Sequence, residues 1–358
     1  PPPPPAPPGG CFLPRGDARR LTAVVGRRAQ VNPPIADGVS SLKFSPKANL
    51  LVATSWDNQV RVWDVQTNGQ AVPKASHQHQ QPALCCAWSA DGARVFSGGC
   101  DNQAKVWDLG SNSQQQVAQH EAPIRHMAWI QEMNVLVTGS WDKTLRYWDC
   151  RQPNPVHKHT LPERCYALSV NYPLMVAGTA ERHIQIFNLQ SAPQQVYSSL
   201  ESPLKWQTRC IAAFPNRTGY LVGSVEGRVA VHHVEKVDEK KNFTFKCHRK
   251  DARKEIYAVN DIAFHPVHGT FVTVGSDGAY NFWDKVNKQR LKAMQAASMP
   301  VTSCDFNHDG TILAYSVSYD WHKGHSEYQP GSNSHILLHA TQDGEVRPRD
   351  PKSGGGRR

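Results

Sequence analysis

His120, Ser140 and Asp142 are the residue types of a nucleophilic hydrolase: a hydroxyl to attack, an imidazole to accept its proton and a carboxylate to orient the ring. Trp148 follows them closely. The set is repeated, however. Ser55, Asp57 and Trp63 stand in the same order, and His79, Asp101 and Trp107 do so again. An active site is normally built once, so an arrangement copied along the chain points to structure. A His–Asp–Ser–Trp hydrogen-bond network that ties a turn to its sheet accounts for the copies. His120, Ser140, Asp142 and Trp148 are assigned to such a network rather than to catalysis. Metal chemistry lacks its spacing: there is no H-E-x-x-H and no zinc-type Cys/His pattern. No G-x-x-x-x-G-K-[ST] phosphate loop occurs either. The expectation is a protein that is not an enzyme and needs no metal and no cofactor.

The elements that would hold this network are legible in one phrase, Thr138-Gly-Ser-Trp-Asp-Lys-Thr-Leu-Arg-Tyr-Trp-Asp149. It reads as a strand end, a tight turn at 141–143 and a return strand from Thr144 to Trp148. The return strand alternates in the period-two pattern of a half-buried strand. Further copies end at Trp63, Trp107 and Trp283, and worn copies without Trp-Asp end at Phe187 and His232. A seventh starts at Ser316-Val-Ser-Tyr-Asp320, its return strand delayed to 335–339. A second series of matches begins at Val39 and recurs at Leu84, Ile124, Cys165, Arg209, Val259 and Val301. Repeats of about 40–45 residues ending in Trp-Asp are the WD40 signature, four strands to each propeller blade. The fold expected is therefore all-β: a seven-bladed WD40 β-propeller of four-stranded antiparallel blades over residues 27–345. An N-terminal strand near 28–31 is expected to complete the last blade and so remove an open sheet edge. Residues 1–26, rich in Pro, Gly and Arg, are expected to be disordered. Residues 346–358 are expected to form a basic, flexible tail.

The net charge of +10 is concentrated. Basic residues gather at 15–28, 236–255, 285–292 and 345–358, which favours polyanions or acidic protein segments as partners. No apolar run reaches the roughly 18 residues of a membrane span, so no membrane association is expected. The nine cysteines contain no C-x-x-C pair and read as buried free thiols of a reducing compartment. The repeat pattern breaks in one informative place. The step to Trp283 is long because of an insertion at 236–255 that carries Phe243 and Phe245 among lysines and arginines. A positive segment with aromatics suits RNA, whose phosphates it neutralises and whose bases it stacks. The alternative for Phe243 is a core position in a fourth blade strand. After Trp283 a second basic stretch, 285–292, lies in the next blade, where it can share a rim with the first.

Taken together, Leu161-Pro-Glu-Arg-Cys-Tyr166, Asn242-Phe-Thr-Phe-Lys-Cys-His-Arg249, Phe264-His-Pro-Val-His-Gly-Thr270 and Tyr319-Asp-Trp321 carry a resemblance. Over roughly residues 30–347 the chain resembles the WD-repeat mRNA export factors of the nuclear pore, most closely plant and algal members. The resemblance implies a monomeric propeller inside a hetero-complex, in the nucleus and at the nuclear pore, shuttling to the cytoplasm. It implies that a GLEBS segment of an FG nucleoporin crosses one face, its acidic residues pairing with Arg228. It implies that an adjoining edge binds single-stranded or poly(A) RNA through Phe245, Trp283, Asp284, Lys285, Lys288 and Arg290. A sister family, the mitotic-checkpoint WD-repeat proteins, shares Glu226-Gly-Arg-Val229, so a spindle or checkpoint scaffold is the competing reading. A ubiquitin-ligase substrate receptor is another.

Overall fold

The computed structural model describes residues 29–191, 195–250, 254–329 and 334–349. Among the described residues, seven four-stranded antiparallel sheets follow one another as blades. Blade 1 comprises Val39–Phe44, Leu50–Ser55, Gln59–Val65 and Ala71–Gln78. Blades 2 to 6 repeat that order, their first strands beginning at Ala83, Ile124, Cys165, Thr208 and Val259. Blade 7 takes Val301–Phe306, Ile312–Val317 and His335–Ala340 from the end of the chain and Ala29–Gln30 from its beginning. Ala29 pairs with Leu338 and Gln30 with Leu337, so the expected N-terminal strand does close the last blade. The ring is tied shut between blades 7 and 1, where the Phe44 amide donates to Asp305 Oδ2 at 2.8 Å and Leu42 N to Ser303 Oγ at 3.2 Å.

The sequence pattern explains the stacking. Val135 and Val137 join a cluster with Met175 and Phe187 of blade 4, whereas Leu136 and Trp148 join one with Phe96 and Ala104 of blade 2. Alternate residues thus feed opposite neighbours, and the period of two serves two interfaces at once. This corrects the half-buried reading of Thr144–Trp148, which is buried on both faces. Each pair of neighbouring blades shares one such cluster.

One boundary expectation changes. The fold does not stop at residue 345: Val346 is 1 % exposed and packs with blades 6 and 7. The expected tail therefore begins too early by at least the residues 346–349. The expected disorder of 1–26 lies outside the described residues. Among the described residues all eight cysteines are free, six of them buried. No helix among them is long and apolar enough to cross a membrane.

Burial gives the ring an acid sensitivity. It pushes His77 and His126 down to about 3 and His265 down to about 4. His126 is neutral in the fold, its Nε2–H donating to Tyr166 O at 2.8 Å. An unfolded histidine titrates near 6.5, so below that pH only the unfolded chain takes up these protons. Stability should therefore fall as pH drops from 6.5 towards 4, by at most about 1.4 kcal/mol per pH unit per histidine. Urea midpoints measured from pH 7 to 5 should decline, and the decline should be shallower in His126→Gln. A flat profile would contradict neutral burial.

Candidate partner face and nucleic-acid interface

The repeated polar network exists, with one member changed. His120 Nδ1–H donates to Asp142 Oδ2 at 2.8 Å, and its Nε2 accepts from Thr138 Oγ1 at 2.7 Å. Trp148 Nε1–H donates to the same Thr138 oxygen at 2.8 Å. Ser140, expected in this place, instead donates to Ala122 O at 2.9 Å and accepts from Asp142 N at 3.0 Å. The hydroxyl is therefore Thr138, one pleat earlier on the same side of the strand. Thr138 is fully buried and already engaged, so no nucleophile is presented.

Blade 2 repeats the scheme through His79, Asp101 and Ser97, each contact at 2.8 Å, but Trp107 turns its indole to Asn112 at 3.0 Å. Blade 1 lacks the histidine, and Arg61 holds Asp57 at 2.6 Å. Blade 6 has a complete set that sequence reasoning missed: His248 with Asp277 at 2.8 Å and Thr273 at 2.9 Å, and Trp283 on Thr273 at 2.9 Å. The histidine precedes its hydroxyl partner by 18 residues in blades 2 and 3 but by 25 in blade 6. A two-stranded ribbon, Arg249–Lys250 with Glu255–Ile256, is inserted between them and hides the spacing.

The insertion at 236–255 supplies the outer strand of blade 5, Phe243–Lys246, paired along Arg228–Val231. That strand lies against blade 6. Phe245 packs on Trp283 with ring centroids 4.6 Å apart. Lys288 Nζ stands 4.7 Å above the Phe243 ring and Lys285 Nζ 4.6 Å above Phe214. Phe243, Phe245, Trp283, Lys285 and Lys288 line a cavity of about 80 Å³. Cation–aromatic contact holds the ammonium groups in place. Burial draws the Lys285 pKa down. Arg290 is exposed on the outer strand of blade 6. Asp284 does not face outward as expected: it is 3 % exposed and accepts from the amides of Val286 at 2.8 Å and Asn287 at 3.2 Å. Its carboxylate shapes the loop that presents the two lysines.

Arg228 sits elsewhere on the same blades. It opens the third strand of blade 5, immediately after Gly227, whose φ is +61°. A Cβ at Gly227 would lie 2.8 Å from Cys247 O and 2.9 Å from Tyr257 O, so the turn needs glycine. Arg228 Nε is 3.6 Å from Glu226 Oε2, with the Arg228 side chain 32 % exposed. Lys246 is its partner across the strands, and Arg249 Nη2 donates to Glu226 O at 2.7 Å. Lys285 and Lys288 lie in the connection between third and fourth strands, at the opposite strand ends. The insertion and the 285–292 stretch do share a rim, where Lys288 meets Phe243, and Arg228 lies apart from Lys285 and Lys288, at the opposite strand ends.

The face that carries Arg228 holds more than the sequence suggested. It is the side of the turns between second and third strands, where Trp56 and Trp141 also lie. Trp56, Trp141, Tyr166, Trp321, Arg125 and Arg209 are among the residues lining a cavity of about 350 Å³ at the mouth of the central channel. Trp56 and Trp321 approach at 5.8 Å between centroids. The indole N–H groups of Trp141 and Trp321 are buried without a hydrogen-bond partner among the described residues. Among the described residues Arg125 and Arg209 donate to backbone oxygens, Leu84 O and Asp320 O, each at 3.3 Å. The sequence signal was present in Ser-Trp-Asp: a large aromatic inside a tight turn has no local structural task.

Comparison with known proteins agrees with this architecture. The WD domain, G-beta repeat family (WD40) matches at residues 34–64, 72–108, 111–149, 239–284 and 288–322. Between 149 and 239, where no match falls, lie the worn blade 4 and the first three strands of blade 5. Protein RAE1 of Arabidopsis thaliana is 56 % identical over 92 % of this chain and 95 % of its own length. The Poly(A)+ RNA export protein of Schizosaccharomyces pombe is 44 % identical over 93 % and 96 %. The mRNA export factor of Xenopus tropicalis is 48 % identical over 90 % and 91 %.

Proposed function

The chain belongs to the non-enzymatic WD-repeat mRNA export factor family, and from that premise we propose that it is an adaptor in nuclear export of poly(A) mRNA, coupling RNA to a nucleoporin. The observation that carries the RNA half is the shelf of Phe245 and Trp283 flanked by Lys285 and Lys288. The solvent-facing surfaces of these half-buried rings can take a stacked base, and the ammonium groups take phosphates without reading sequence. Arg290 extends the charge along the rim. The nucleoporin half rests on the opposite strand ends. There the partly exposed guanidinium of Arg228, next to Lys246 and Arg249, lies on the same face as an aromatic channel mouth lined by Arg125 and Arg209. An acidic hairpin laid across this face would meet charge-assisted donors. Such an adaptor works in the nucleus and at the pore.

Affinity for single-stranded oligoadenylate should fall steeply between about 50 and 200 mM salt. Lys285→Gln/Lys288→Gln should flatten the slope of log affinity against log salt by about 0.7 for each phosphate no longer neutralised. Binding that is indifferent to salt, or a slope unchanged in the double variant, would overturn the phosphate-edge reading.

A further inference from the structure

Residues 341–349 do not trail away from the ring. They form a clamp under blade 6 that was invisible in the sequence. Its short helix, Asp343–Val346, is capped reciprocally by Gln342 and Glu345. Val346 is buried, and its carbonyl accepts from Thr270 Oγ1 at 2.7 Å. His339 Nε2 meets Glu345 Oε2 at 2.7 Å. Beyond the helix, Arg349 Nη2 donates to Leu291 O at 2.7 Å, and Asn287 Nδ2 donates to Arg349 O at 3.3 Å. Asn287 immediately precedes Lys288, and Leu291 stands between Arg290 and Lys292. The clamp therefore ends against the loop and outer strand that present the basic rim. Arg347 and Arg349 are both exposed, and neither forms an ion pair among the described residues. The sequence that continues from this fixed point carries Lys352, Arg357 and Arg358.

We propose that this clamp is part of the RNA-binding edge: Arg347 and Arg349 contact phosphates of a single strand that leaves the Phe245–Trp283 shelf past Lys288. The inference rests on the reading of that shelf as an RNA site. Two guanidinium groups without a carboxylate partner, anchored beside four rim cations, form a longer track than the rim alone. A single-stranded backbone follows such a track without sequence preference. The anchoring gives it a defined place; a freely tethered basic tail would add charge without position.

The test is the salt dependence of oligoadenylate binding by the full chain, measured for the unmodified protein, Arg347→Gln/Arg349→Gln, Arg347→Gln alone and Lys285→Gln/Lys288→Gln. Arg347→Gln removes an exposed side chain and leaves every anchoring interaction in place. The clamp variants should flatten the slope by about 0.7 per arginine, with thermal midpoints unchanged for Arg347→Gln. If the lysine variant flattens the slope and neither clamp variant does, the clamp inference is overturned and the shelf reading stands. If no variant changes the slope, the shelf reading falls and the clamp inference with it.

Discussion

Arg228→Glu is expected to weaken binding of an acidic nucleoporin hairpin by about 30-fold or more, because it removes one partner of a charge-assisted pair and places like charge against the ligand. The fold should be indifferent. Among the described residues Arg228 has one ion-pair partner, Glu226, and a partly exposed pair as long as 3.6 Å contributes little stability. Titration calorimetry with a synthetic acidic hairpin measures the first effect, and a thermal melt measures the second. The same variant should bind oligoadenylate nearly as well as the unmodified chain, since Lys285 and Lys288 lie at the other strand ends. Hairpin affinity within about threefold of the unmodified protein would remove Arg228 from the partner face.

The second large effect concerns stability. Asp142 accepts from His120 Nδ1 at 2.8 Å, Thr144 N at 2.9 Å, Thr144 Oγ1 at 2.6 Å and Arg146 Nη2 at 3.1 Å. Burial alone would raise the pKa of this carboxyl. The hydrogen bonds from His120 and Thr144 outweigh burial and hold it well below the usual carboxylate range. Asp142→Ala would leave these donors, including the guanidinium of the 8 % exposed Arg146, facing an empty place. Breaking a buried charged pair by removing one partner costs about 3–5 kcal/mol. Ser140→Ala removes a hydroxyl outside the network and should cost no more than about 1.5 kcal/mol. Denaturant titration should therefore rank the two variants far apart. Equal losses would mean that Ser140, not Thr138, carries the network. Because the Asp142 pKa is depressed, its contribution is complete above about pH 4 and is lost as pH falls below that.

Much of the ring was legible because its repeats report the same geometry many times. Val39 as the first residue of blade 1, the return strand delayed to 335 and the closure by the N-terminal strand all followed from periodicity. Details fixed across space rather than along the chain were harder to read. Thr138 and Ser140 point to the same side of one strand, and their types do not decide which meets the imidazole. The 18-residue spacing shared with His79 and Ser97 does decide it, and it was present in the sequence. His248 escaped because an inserted ribbon changed that spacing. Asp284 was placed on the RNA edge by the resemblance alone, yet its two oxygens are consumed by its own loop. The clamp was hidden by composition. A Gly-rich basic terminus reads as tail, and one buried valine, Val346, suffices to dock it.

On the proposed reading, one rigid ring holds an acidic protein segment and an RNA strand at the same time, on different ends of blades 5 and 6. The most direct measurement of this is the affinity for single-stranded oligoadenylate with and without a saturating acidic nucleoporin hairpin. A ternary complex is expected in which RNA binds as tightly as before or more tightly, with hairpin capture sensitive to Arg228→Glu and RNA capture sensitive to Lys285→Gln/Lys288→Gln. Displacement of RNA by the hairpin, with one substitution abolishing both interactions, would contradict it.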